Sequence, residues 1–224
     1  LVRETNRGTG DLYFNTIREW DNAKKIQQNV QNSTNTYVPL SEVMHSNQIT
    51  YSEIQLGVEY QPGVKYINTK NMRFLANREA PIYGFSHIIG LKDVLGGDYN
   101  YNYSEFTLKK RFWLKSWGSI DAFHCATFQW NTVPFQLLCL PRANLSYVRS
   151  DNTFSLVRNL EFLNDRTFMM MYRWDLNGKL FNRIPLIKKL KLREAIGFNV
   201  MWGYLTDKNN PLRFQDTNRY PDEA

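Results

Sequence analysis

Hydrophobic and polar positions alternate along most of this chain, beginning at Glu53. Ile54, Leu56, Val58 and Tyr60 alternate with Glu53, Gln55, Gly57 and Glu59, which predicts a strand that Gln61-Pro-Gly ends. A long basic loop follows to Ala80. Tyr83, Phe85, His87, Ile89 and Leu91 then alternate with Gly84, Ser86, Ile88 and Gly90, and Gly96-Gly97-Asp98 supplies a turn. Tyr101–Trp113 reads as a long strand with Phe106, Leu108 and Phe112 opposite Tyr103, Glu105, Thr107, Lys109 and Arg111. A tight turn at Lys115–Gly118 leads into Ser119–Asn131, with Ile120, Ala122, Ala126, Phe128 and Trp130 on one face. Pro134 and Pro141 bracket a short apolar run, and Asn144–Val148 and Phe154–Leu163 read as further strands.

The clearest pair is Arg166–Asn177 and its return strand. Phe168, Met170, Tyr172, Trp174 and Leu176 take the even positions, with Met169 and Met171 as apolar exceptions among the odd ones. On the return, Leu192, Ile196, Phe198, Val200, Trp202 and Tyr204 oppose Arg193, Ala195, Gly197, Asn199 and Gly203. Roughly seven strands with almost no helix between them favour an antiparallel up-and-down sheet over βαβ units. Several strands exceed the ~5–6 residues usual in soluble proteins and match the ~9–11 that span a bilayer at a tilt. Trp and Tyr gather near strand ends, as in an interfacial girdle. The pattern leaves two architectures open, a soluble sandwich or barrel with an aromatic core and a transmembrane β-barrel.

The organisation expected is a polar loop or irregular segment over 1–50, β-barrel strands over 51–211 and a loop over 212–224. Within the first segment Thr16–Val30 has the spacing of a short helix. No stretch of ~18 apolar residues is present, which excludes a membrane-spanning helix but not a barrel.

Composition adds an aromatic excess, with 6 Trp, 13 Tyr and 14 Phe, and a net charge of +7 that suits nucleic acid, anionic lipid or an acidic partner alike. Two cysteines, Cys125 and Cys139, are no disulfide framework. His45, His87 and His124 lie on separate segments without ligand spacing, and adjacent His124 and Cys125 point to opposite faces of a strand. No catalytic or metal-binding constellation emerges, so no enzyme activity and no cofactor are expected. The candidate functional residues are Arg183, Lys188, Lys189, Lys191 and Arg193, a cluster in the turn before the last strand. At a membrane edge each would contribute ~1 kcal/mol against an anionic surface; the alternative is a solvated turn. Arg166, Arg173 and Arg193 are assigned to the polar face, paired with acids such as Glu161 or Asp175.

Leu95-Gly-Gly-Asp-Tyr-Asn-Tyr-Asn-Tyr103, Lys110-Arg-Phe-Trp113, Val133-Pro-Phe-Gln-Leu-Leu138, Ala143-Asn-Leu-Ser-Tyr147, the Phe181–Glu194 turn and Leu205-Thr-Asp-Lys-Asn-Asn-Pro211 occur in a familiar order. Together, over about Pro39 to Pro211, they resemble the barrel region of a Bacteroidetes-type outer-membrane family of unknown function. Its members carry an N-terminal carboxypeptidase-regulatory-like domain, and the barrel is distantly similar to the surface-antigen, outer-membrane-assembly superfamily. The resemblance implies an outer-membrane location and a role in envelope assembly or transport. It also implies outer-membrane lipid and other envelope proteins as partners; nucleic acid is not expected, because the aromatics fall mostly on the apolar faces rather than beside Lys and Arg. That sandwich domain is absent and the chain stops at Tyr-Pro-Asp-Glu-Ala224, so a fragment of a longer barrel is expected. A soluble all-β module binding nucleic acid or polysaccharide is the competing expectation.

Overall fold

The alternating stretches pair into one antiparallel sheet in the computed structural model, which describes residues 2–7, 17–34, 48–144, 146–148, 150–158 and 161–210. The main strands are β1 (Val2–Arg7), β2 (Gln48–Tyr60), β5 (Ile82–Gly90), β6 (Tyr101–Trp113), β7 (Ser119–Gln129), β8 (Arg166–Asp175) and β9 (Ala195–Tyr204). They lie in the order β1-β2-β5-β6-β7-β8-β9, so each pairs with its neighbour in sequence. The exception is a small separate hairpin, β3 (Tyr66–Asn68) with β4 (Arg73–Leu75), carried on the β2–β5 connection. The fold is therefore all-β and antiparallel. Among the described residues the sheet is open, with β1 and β9 at its edges. No helix among them is long and apolar enough to cross a membrane, which says nothing of strands.

Ahead of β2, the described parts of residues 1–50 are a strand that was not expected and a helix overlapping the stretch, Thr16–Val30, whose spacing suggests one. β1 pairs with β2 from Val2↔Glu53 to Arg7↔Gln48, and α1 runs over Ile17–Thr34. Among the described residues the two strands expected between 144 and 163 are not formed. These residues belong to the connection from β7 to β8, where isolated bridges join Cys139 to Asn164 and Ala143 to Phe154. The apolar residues that suggested strands are used for packing instead. Phe154 sits against a buried cluster of Phe123, Cys125, Met169 and Met171, and Leu163 against one of Tyr101, Val133 and Leu138. The expected terminal loop, 212–224, lies outside the described residues.

Register fixes the two faces. From β5 to β9, one cross-strand row reads Phe85, Phe106, Ala126, Phe168 and Trp202, and another reads Tyr83, Leu108, His124, Met170 and Val200. The opposite face carries rows such as Arg111, Asp121, Arg173 and Gly197. Met169 and Met171 depart from the alternation because they are on this polar face, where the β7–β8 connection covers them.

Candidate functional site

Among the described residues nothing covers the apolar face. Leu56, Val58, Tyr60, Phe106, Phe198 and Trp202 are all exposed, the last two at 62% and 54%, and the patch continues from β2 to β9. A patch spanning six strands exceeds what a monomeric soluble protein ordinarily leaves to water. Two groups of its polar atoms are paired among themselves. Ser104 Oγ lies 2.9 Å from His87 Nδ1 and accepts a hydrogen bond from Trp130 Nε1 at 2.9 Å. Tyr172 Oη is 3.2 Å from His124 Nε2, the two rings meeting edge to face. Those two histidines thus serve as hydrogen-bond partners on the apolar face, with Cys125 on the other side of β7 from His124. His45 lies outside the described residues. Among the described residues no group of His, Cys, Asp and Glu is placed to hold a metal ion.

The polar face is covered by the β7–β8 connection. Arg142 Nη2 donates to Glu105 Oε1 at 2.7 Å, and its guanidinium stands 5.5 Å from the Phe123 ring centroid. Burial works to lower the Arg142 pKa, but the charge and hydrogen bond of Glu105, together with Cys125 and Tyr103, hold the guanidinium above its ordinary value. Asn199 Nδ2 donates to Thr153 O at 3.5 Å, and Cys139 Sγ donates to Asp165 O at 3.4 Å. Burial pushes the Cys139 thiol up to about 11. Asp165 is fully buried and accepts from Thr206 Oγ1, which ties the end of β9 to the start of β8. Sequence reasoning missed Arg142, because a lone arginine between Pro141 and Ala143 gives no sign of reaching a strand.

Between this face and the β2–β5 connection lies a cavity of about 550 Å³, with Arg78, Lys109, Arg111, Asp121, Arg173 and Asp175 on its wall. Arg111 binds Asp121 through both carboxylate oxygens, and Arg173 Nε donates to Asp175 Oδ1 at 3.4 Å, the internal pairing expected for it. Two assignments need correction. Arg166 pairs opposite Phe128 and Tyr204 and so belongs to the end of the apolar face. Glu161 accepts from Arg158 N rather than from an arginine side chain.

Arg183, Lys188, Lys189, Lys191 and Arg193 come together on the β8–β9 connection, which carries a short helix, α2 (Pro185–Lys189). All five are exposed, and none takes part in an ion pair among the described residues. The connection is anchored on the β6–β7 turn. Lys179 Nζ donates to Ser116 Oγ at 2.9 Å and stands 3.8 Å above the Trp117 ring, and Trp174 Nε1 donates to Trp117 O at 2.8 Å.

No curated protein and no solved structure matches the chain. The model of the C-terminal domain of a family of unknown function, DUF5686, matches residues 12–210. That stretch takes in the β2–β9 sheet, the covering connection and the basic turn together, and the chain accordingly belongs to the DUF5686 family as its C-terminal domain.

Proposed function

We propose that this domain is a segment of an outer-membrane β-barrel, with a role in envelope assembly or transport and no catalytic step. The observation that carries the reading is the contiguous apolar and aromatic face of β2 and β5–β9, left bare while the opposite, charged face is covered by the chain's own connection. In a barrel those are the lipid side and the lumen side, and strands alternate between them with period two. β8 and β9, at 10 residues each, have the length that crosses a bilayer at a tilt. Tyr60, Tyr83 and Trp174 stand toward one end of the apolar face, and Trp130, Trp202 and Tyr204 toward the other, as two interfacial girdles would. Internal pairing of His87, Ser104, Tyr172 and His124 leaves few polar atoms to be desolvated by hydrocarbon. The resemblance to an outer-membrane family supplies the compartment, and lipid and other envelope proteins as partners.

The test is envelope fractionation of the full-length protein with gel mobility compared before and after boiling in SDS. Recovery in the outer membrane with a heat-dependent shift is the expected result. A protein in the soluble fraction without a shift would overturn the reading and hand the apolar face to a soluble partner.

A further inference from the structure

The two ends of the sheet differ in charge. The connections at one end are β2–β5 (61–81), β6–β7 (114–118) and β8–β9 (176–194), and they contain eleven Lys and Arg against two acidic residues. At the other end, the connections 91–100 and 205–210 contain two against three. Two of the basic connections are tied together, Lys179 Nζ donating to Ser116 Oγ at 2.9 Å, and the third is tied to β6, whose Lys110 Nζ donates to Glu79 O at 2.8 Å.

A second feature coincides with the charge. Along the β8–β9 connection the unpaired cations are interleaved with bare aliphatic side chains, Ile184, Leu186, Leu190 and Leu192, of which Leu186 is 78% exposed. A purely solvated turn gives no reason for four such residues. A lipid headgroup layer does, since phosphates meet the cations while the aliphatics reach the acyl boundary. A nucleic acid fits less well. The faces of Tyr66 and Trp117 that would stack on bases already carry Arg73 and Lys179, at 3.7 and 3.8 Å from the ring centroids.

We propose that this end of the sheet docks on anionic phospholipid headgroups of the membrane the strands cross, with Ile184–Leu192 seated in the interface and Arg183, Lys188, Lys189, Lys191 and Arg193 on the phosphates. The proposal rests on the barrel reading, and it sets which end of the domain faces the more anionic leaflet.

The full-length protein carrying Leu186→Cys, labelled with an environment-sensitive dye, is reconstituted into phosphatidylcholine vesicles with and without phosphatidylglycerol. Native Cys125 and Cys139 are buried, so the label goes to the new site. A blue shift with phosphatidylglycerol is expected, with loss of the shift in added salt and in the triple variant Lys188→Gln, Lys189→Gln, Lys191→Gln. Identical emission in the two vesicle types overturns the docking, as does a shift produced by single-stranded DNA and not by phosphatidylglycerol. Heat-dependent gel mobility is read on the same samples. If it is retained while the dye is insensitive to lipid, the docking alone fails; if it is absent throughout, the barrel reading beneath it fails.

Discussion

Arg142 and Glu105 are 37 residues apart in sequence and 2.7 Å apart in space, and their pair joins the β7–β8 connection to the middle of β6. Their side chains are 37% and 22% exposed, so solvent screens part of the attraction. Arg142→Met should cost about 1–2 kcal/mol, from the unpaired Glu105 carboxylate and the lost contact with Phe123. Urea unfolding of the full-length protein checks the magnitude. Limited proteolysis checks the cause, since residues 142–158 should become cleavable before the strands do. With Glu105→Gln as the second mutation, a double-mutant cycle showing no coupling would assign the loss to packing alone.

Phe198 and Asn199 are adjacent on β9 and face opposite ways. Phe198 stands opposite Tyr172 on the bare face, and Asn199 bonds Thr153 O on the covered one. Phe198→Arg should impair folding into bilayers by ~2–4 kcal/mol, and Asn199→Arg by clearly less. Equal penalties in a vesicle-folding titration would undo the face assignment.

Gly118 closes the β6–β7 turn at φ +81°, and a Cβ there would run into the Asp175 carbonyl. Gly118→Ala should therefore destabilise by more than about 1 kcal/mol, through both the left-handed backbone and the clash. A lowered urea midpoint with unchanged slope is the expected result.

Cys125 and Cys139 are free and buried, and the Cys139 thiol is shifted up to about 11, above the ordinary thiol range. At neutral pH Cys139 is therefore almost wholly protonated and a poor nucleophile. Neither cysteine should react with iodoacetamide in the folded protein, and both should react in denaturant. Raising the pH toward 11 should increase Cys139 alkylation. Rapid labelling at neutral pH would mean that the β7–β8 connection opens.

Much of this was legible in the sequence. Alternation in Glu53–Tyr60, Tyr83–Gly90 and Ser119–Gln129 marks both strand and face, because a one-residue slip would exchange the faces. Met169 and Met171 broke the alternation, and their partner was Phe154 of a connection that had itself looked like strand. An apolar residue that packs and one that pairs in a ladder leave the same trace in sequence. β1 was missed because Val-Arg-Glu-Thr-Asn-Arg has a single apolar residue, and its place in the sheet comes from backbone pairing with β2. The cation cluster was legible as a run; its seat on the β6–β7 turn through Lys179 and Ser116 was not, since that contact joins residues 63 apart.

The sequential strand order also bears on how the domain assembles. Hairpin β6–β7 closes through 5 intervening residues, whereas β7–β8 closes through 36. Loop-closure entropy scales with the logarithm of length, so the longer closure is dearer by about 2 kcal/mol. β6–β7 is thus the natural nucleus, and β8–β9 forms its own hairpin before the two halves meet. In the barrel proposed above, the 36-residue connection would lie in the lumen and would settle onto Glu105 and Phe123 before the strands curl around it. Slowed refolding of Arg142 variants at unchanged unfolding rate would be the kinetic signature of that order.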